Sequence, residues 1–167
     1  MSLRDLEKFL NQDNKQGELA VDWDCEKQFW LDAVDKLYKD IVTWLEPLRE
    51  NPNFKIRFEK IVLQEEEIGA YEVNRMIINL KGHKAILEPL GTIVIGSKGR
   101  IDLQGTNGSV KFTFVDKRLT RTKVTVNINT EKEHVEQGQN KHFESETPEY
   151  EWKIMTPAPN VQYLPLN

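Results

Sequence analysis

The chain has 167 residues, of which 38% are hydrophobic and 30% charged, and its formal net charge is −4. That composition is ordinary for a globular protein and excludes a low-complexity or collagen-like chain, and a chain of this length buries roughly 70% of its unfolded surface in one domain. No apolar run approaches the ~18 residues of a membrane span, and the lone Cys25 excludes an internal disulfide and a cysteine-based zinc set.

Charge is unevenly spread. Residues 1–53 carry a balance of −5, residues 54–130 of +5, and residues 131–167 of −4. Arg4, Asp5, Glu7 and Lys8 interrupt any signal-like apolar stretch, so the expected location is cytoplasmic. A basic middle between acidic ends admits an acidic protein partner or a phosphate and disfavours nucleic acid.

In chain order, Leu3, Leu6 and Leu10 share a face of a short helix over 2–12, with Ser2 as its cap. A longer amphipathic helix is predicted over about 23–46. Asp22 or Asp24 can cap it, and Trp30, Val34, Leu37, Ile41, Trp44 and Leu48 form its stripe. Phe29, Ala33, Tyr38, Val42 and Leu45 widen that stripe into a face broad enough to cover a sheet. Pro47 and Asn51-Pro52-Asn53 end the helical region.

From Phe54 the period changes to two. Phe54, Ile56 and Phe58 alternate with Lys55, Arg57 and Glu59, whereas Ile61 and Leu63 follow in the opposite phase, which suggests a bulge at Glu59-Lys60. A turn at Ile68-Gly69-Ala70 leads to a strand over 71–80 with Met76, Ile78 and Leu80 inward. Lys81-Gly82-His83 turns into a strand at 84–87, and more strands follow at about 92–95, 100–104, 109–116 and 122–129. Asn107-Gly108 suits a type I′ turn, and Arg118–Thr122 reads as a basic hairpin loop. Residues 131–149 read as a polar loop, 150–156 as a final strand with Trp152 and Ile154 inward, and 157–167 as a Pro-containing extended tail. Short turns without intervening helices imply an antiparallel meander. The expected fold is therefore α+β in one domain, 1–167: a helical arm over 1–50 packed on an antiparallel, meander-like sheet formed by 54–130 and 150–156.

Few residues carry a chemical signature. Five of the nine glycines fall within Gly91–Gly108, where turns requiring positive φ are the simplest explanation. Within that block, Ser97, Lys98, Gly99 and Arg100 are candidates for holding an anion on backbone amides and two cations. The segment is not a P-loop, because the GxxxxGK[ST] spacing is absent and no helical pattern follows. Lys117, Arg118, Arg121 and Lys123 are candidates for a partner-binding basic hairpin. Phe112 and Phe114 share a strand face, but the RNP1 pattern is missing, so they are expected in the core. His83, His134 and His142 are scattered and no metal site is expected; nor is a cofactor. Glu65-Glu66-Glu67 reads as a solvated strand end.

The run Leu87-Glu88-Pro89-Leu90-Gly91-Thr92, followed by Ile95-Gly96-Ser97-Lys98-Gly99-Arg100-Ile101-Asp102-Leu103-Gln104-Gly105, resembles a block in uncharacterised bacterial proteins of similar size. That resemblance implies no activity, and no site residue comes with it. With no catalytic constellation recognisable, the expected function is non-catalytic binding of a protein partner, as in a bacterial immunity, antitoxin or regulatory component. A small-ligand or phosphate-binding domain or enzyme using Gly96–Arg100, or a nucleic-acid-binding sheet, are the alternatives.

Overall fold

The computed structural model describes residues 21–92, 96–121 and 147–166. Among these residues, one α-helix, α1 (Trp23–Trp44), packs on a seven-stranded sheet whose order in space is its order in sequence. The strands are β1 (Phe54–Glu65), β2 (Gly69–Leu80), β3 (His83–Gly91), β4 (Arg100–Gly105), β5 (Gly108–Asp116), β6 (Tyr150–Met155) and β7 (Tyr163–Pro165). Every neighbouring pair is antiparallel. The expected α+β meander is thus the observed architecture. The expected helix at 2–12, the strand at 122–129, most of the 131–149 loop and residues 93–95 lie outside the described residues.

The Asp22 side chain accepts the Cys25 amide at 3.1 Å, and Asp24 and Glu26 add negative charge where the helix dipole is positive. Trp30, Ala33, Val34, Leu37, Tyr38 and Ile41 are buried on the sheet side. They meet Tyr71, Val73, Met76, Leu87, Ile101, Phe112, Phe114 and Trp152. Two bonds from side chains to the main chain fix the helix across the sheet: Trp152 Nε1 donates to Ala33 O at 2.9 Å, and Tyr38 Oη donates to Asn74 O at 2.9 Å. The helix stops two residues short of expectation. A 3-10 turn at Glu46–Leu48, built around Pro47, breaks the 3.6-residue phase, so Leu48 leaves the stripe; Trp44, the last residue of α1, is also exposed.

The phase change in β1 is real, but its cause is not a bulge. Pairing with β2 is one-for-one from Phe54↔Leu80 to Glu65↔Gly69. Both strands change phase together: Val73 and Met76, three residues apart, are buried in the same core. No extra residue is inserted; the paired ribbon itself rotates at Glu59-Lys60 and Asn74-Arg75.

Other details also depart from the sequence reading. Lys81 (φ +49) and Gly82 (φ +85) are the two central residues joining the Leu80↔His83 pair, a type I′ geometry. The next hairpin closes at Gly105↔Gly108, so its central residues are Thr106-Asn107 rather than Asn107-Gly108. Asn107 is not at positive φ, which rules out the type I′ turn expected there. β3 continues to Gly91 and Thr92 is a bend, so a strand does not begin at 92. The tail is not simply extended: it returns as the edge strand β7, with Tyr163 buried.

Candidate functional site

The loop Gly96–Arg100 is held as a structural joint. Lys98 N donates to Phe114 O at 2.7 Å and Phe114 N donates to Gly99 O at 2.9 Å, which moors the loop to β5 before β4 begins. Gly99, at φ +150, lies directly beneath Trp30, and a side chain there would overlap the indole ring. Lys98 Nζ reaches the Glu26 carboxylate of α1 at 2.9–3.0 Å and sits 6.0 Å from the centroid of the Tyr150 ring. Arg100 points to the opposite face of the sheet, since its neighbour Ile101 is buried in the helix-side core. There it forms a fork with Asp102, Nε to Oδ1 at 2.6 Å and Nη2 to Oδ2 at 2.7 Å, and this pairing raises the guanidinium pKa. Ser97 Oγ lies 3.4 Å from both the amide and the carbonyl of Gly99. Lys98 and Arg100 therefore do not converge, and each is matched to a carboxylate of the chain itself.

The basic segment after β5 is similarly engaged. Arg118 forms a fork with Asp116, at 2.9 and 2.6 Å, and its backbone amide donates to the same carboxylate at 2.8 Å. These contacts lower the Asp116 pKa to about 2. Lys117 Nζ lies 3.5 Å from Glu149, and Arg121 bridges to Gln162. Lys123 lies outside the described residues. Beneath the segment, the buried Lys153 ammonium donates to Lys117 O at 2.7 Å and Leu119 O at 2.9 Å, and Glu151 lies 3.3 Å away. Alternation marks Lys153 as outward between Trp152 and Ile154, but the covering loop comes from a distant part of the chain.

The run Glu65-Glu66-Glu67 is solvated only in its last two members. Glu65 is buried, contrary to the sequence reading. Its carboxylate accepts the Thr92 amide at 3.0–3.1 Å, the Thr92 hydroxyl at 2.8 Å and the Tyr71 hydroxyl. Gly91 leaves room for it, because a Cβ there would stand 2.8 Å from Glu65 Cδ. Burial first, then the Glu65 contact, raises the Tyr71 phenol above its ordinary pKa. The Trp30 indole N–H interacts with the same hydroxyl without completing a hydrogen bond. Composition alone could not single out Glu65 from its two neighbours. The faint signal was its phase, which continues Ile61 and Leu63 inward.

Phe112 and Phe114 lie under the helix. Phe114 packs against Phe29, Tyr150 and Trp152 with centroids 5.2–5.8 Å apart, so neither face of the ring is a platform for a base. Among the described residues, no three metal-ligating side chains gather, and His83 is exposed at its hairpin turn. His134 and His142 lie outside the described residues. No helix among them is long and apolar enough to cross a membrane.

One stretch of the helix-side sheet face is not reached by α1 or by any other described residue outside the sheet and its turns. Ile78, Leu80, Ala85, Leu103 and Val110 line a depression of about 690 Å³, bordered by His83, Lys84 and the hairpin at 105–108. Leu80 is 49% and Val110 38% exposed. Register explains the patch. Ile78 pairs with Ala85, and Leu103 with Val110, so the apolar phase of four strands continues past the end of the helix. Comparison of the chain with protein-family models, curated proteins and solved structures finds no match.

Proposed function

We propose that this chain is a non-catalytic binding protein whose partner is another protein, a regulatory, immunity or antitoxin component by function and cytoplasmic by location. The observation that carries the reading is the apolar depression between Ile78 and Val110, which is uncovered among the described residues. Exposed apolar surface of this kind, rimmed by polar groups, favours protein association. The charges of Lys98, Arg100 and Arg118 are already matched to Glu26, Asp102 and Asp116. The basic loops therefore support the reading less well than the apolar surface does.

Affinity capture from the native lysate tests this. The unmodified chain is expected to retain a protein that Leu80→Asp and Val110→Asp both release, while Arg118→Ala/Arg121→Ala keeps it. Both aspartates replace exposed side chains, so unchanged melting curves should accompany the loss. Capture that survives both aspartates, or that disappears with the arginines instead, refutes the apolar surface as the interface.

A further inference from the structure

β1 ends the sheet, and among the described residues no strand pairs with its outer edge. Hydrogen bonding shows which groups that edge presents. Lys81 N donates to Asn53 O at 2.8 Å, directly beyond the Phe54↔Leu80 pair, so Asn53 turns its backbone toward β2. Counting by twos along the one-for-one ladder, Lys55, Arg57 and Glu59 do the same, whereas Phe54, Ile56 and Phe58 turn their N–H and C=O outward. The Phe54 amide is taken by Asn51 O at 3.0 Å. The outward groups of Ile56 and Phe58 have no strand opposite them among the described residues.

This edge is one wall of a groove. Val42, Leu45 and Arg49 stand across from residues 54–58 around a space of about 560 Å³. Past Val42 and Phe58 the groove continues beside Tyr38, Lys39 and Asn74 for about another 450 Å³. Five consecutive residues of β1 line it, so its wall is the backbone edge as well as one face of the strand. Ile56 packs toward the core, and the Phe58 ring, 49% exposed, lies 5.8 Å from that of Tyr38. From Asp35 to Leu45 the groove follows about 15 Å of helix, roughly the length of four or five extended residues.

We infer that this groove takes an extended peptide segment of a partner protein, which joins the sheet beside β1 and alternates apolar with acidic residues. A strand fits here better than a helix, because only a strand answers the outward N–H and C=O groups of Ile56 and Phe58. Alternation follows from the pleat. Side chains on the helix side meet Val42, Leu45, Ile56 and Phe58, and those on the other side meet Lys55 and Arg57. Four cations, Lys39, Arg49, Lys55 and Arg57, line the groove against two carboxylates, Asp35 and Glu46. Arg49 is shared with Glu46 at 3.0 Å and Arg57 with Glu59 at 3.1 Å, whereas Lys39 and Lys55 form no ion pair among the described residues. The same charges disfavour a second copy of the chain: another β1 centred on Lys55, Ile56 or Arg57 would set cation against cation. The groove shares no lining residue with the depression between Ile78 and Val110, and its occupant does not depend on what binds there.

Fluorescence anisotropy on the full chain tests this, with a labelled octapeptide of alternating valine and glutamate as the probe. Saturable binding at micromolar protein is expected, and a peptide of alternating valine and lysine should bind about tenfold more weakly. Lys55→Glu/Arg57→Glu, which replaces two exposed side chains, is expected to reverse that preference without lowering the melting temperature. Val110→Asp, in the separate depression, should leave both affinities unchanged. Methylating the backbone nitrogens of the valines alone, or of the glutamates alone, is expected to abolish binding in one case only, because a strand turns alternate amides to each edge. No binding of the glutamate peptide, or a preference that survives the charge reversal, overturns the inference. So does loss of binding in Val110→Asp, or an equal effect of the two methylated sets.

Discussion

Gly99 lies so close under Trp30 that the indole takes the place a side chain would occupy. This contact joins the loop before β4 to the centre of α1 and makes one glycine of the Gly91–Gly108 block a packing residue. Gly99→Ala is expected to destabilise the fold by about 3 kcal/mol or more, because the tryptophan ring must move out of a close-packed core. Gly96→Ala is the control: φ is +79 there, but nothing lies near the added methyl, so its cost should be about 1–2 kcal/mol from backbone strain alone. Chemical denaturation of both variants measures the difference, and equal losses would refute the packing argument.

Glu65 ties the far end of the β1–β2 hairpin to the bend after β3. Glu65→Gln keeps the shape but turns one acceptor into a donor facing Thr92 and Tyr71. The expected loss is about 2–3 kcal/mol, as for a buried polar group left badly matched. Glu66→Gln, on an exposed neighbour, should change stability by no more than about 0.5 kcal/mol.

Alkaline pH should unfold the domain through two phenols. Tyr38 is raised mainly by burial, and Tyr71 by burial and then by Glu65. A group with a raised folded pKa contributes stability that is complete below its unfolded value, near 10, and is lost as pH climbs from there through the folded value. Melting temperature should therefore hold to about pH 10 and fall beyond it. Tyr38→Phe/Tyr71→Phe, though less stable at neutral pH, should show a shallower alkaline decline. A decline equally steep in the double variant would assign the effect to other groups.

The Lys98–Glu26 pair discriminates a structural loop from a ligand loop. The two side chains are 36% and 32% exposed, and such pairs contribute at most about 1 kcal/mol after solvent screening. A double-mutant cycle of Lys98→Ala and Glu26→Ala is expected to give a coupling below that value. Millimolar phosphate should leave the melting temperature of the unmodified chain unchanged beyond an ionic-strength control. A phosphate-specific rise lost in Lys98→Ala would instead restore the anion-binding reading of Gly96–Arg100.

Acid should expose the Arg118–Asp116 fork. The Asp116 carboxyl is held near 2, mainly by Arg118. Its contribution is present above the ordinary carboxylate range and disappears as pH falls through about 2. Arg118→Ala is therefore expected to flatten the stability profile between pH 4 and 2, measured against Lys117→Ala.

The helix, its cap and the antiparallel order of the strands were legible in the sequence because each depends on residues close along the chain. Asp22, the stripe from Trp30 to Ile41, the alternation in 109–116 and the turn at Lys81-Gly82 all act over a few residues. The phase slip between Phe58 and Ile61 was also visible. Its meaning was not, because a bulge and a rotation of both strands differ only in what β2 does opposite.

What tertiary structure alone decided is which polar groups are spent and which surfaces are left open. Glu65 is separated from Thr92 by 27 residues, Lys98 from Glu26 by 72 and Trp152 from Ala33 by 119. Charge and hydropathy are the same for Glu65 and Glu66, and only the phase of Ile61 and Leu63 sets Glu65 apart; nothing local distinguishes a paired Lys98 from a free one. Local sequence determines conformation through sterics and periodicity. Burial, pairing and an exposed edge are properties of surfaces that meet only after the chain has folded.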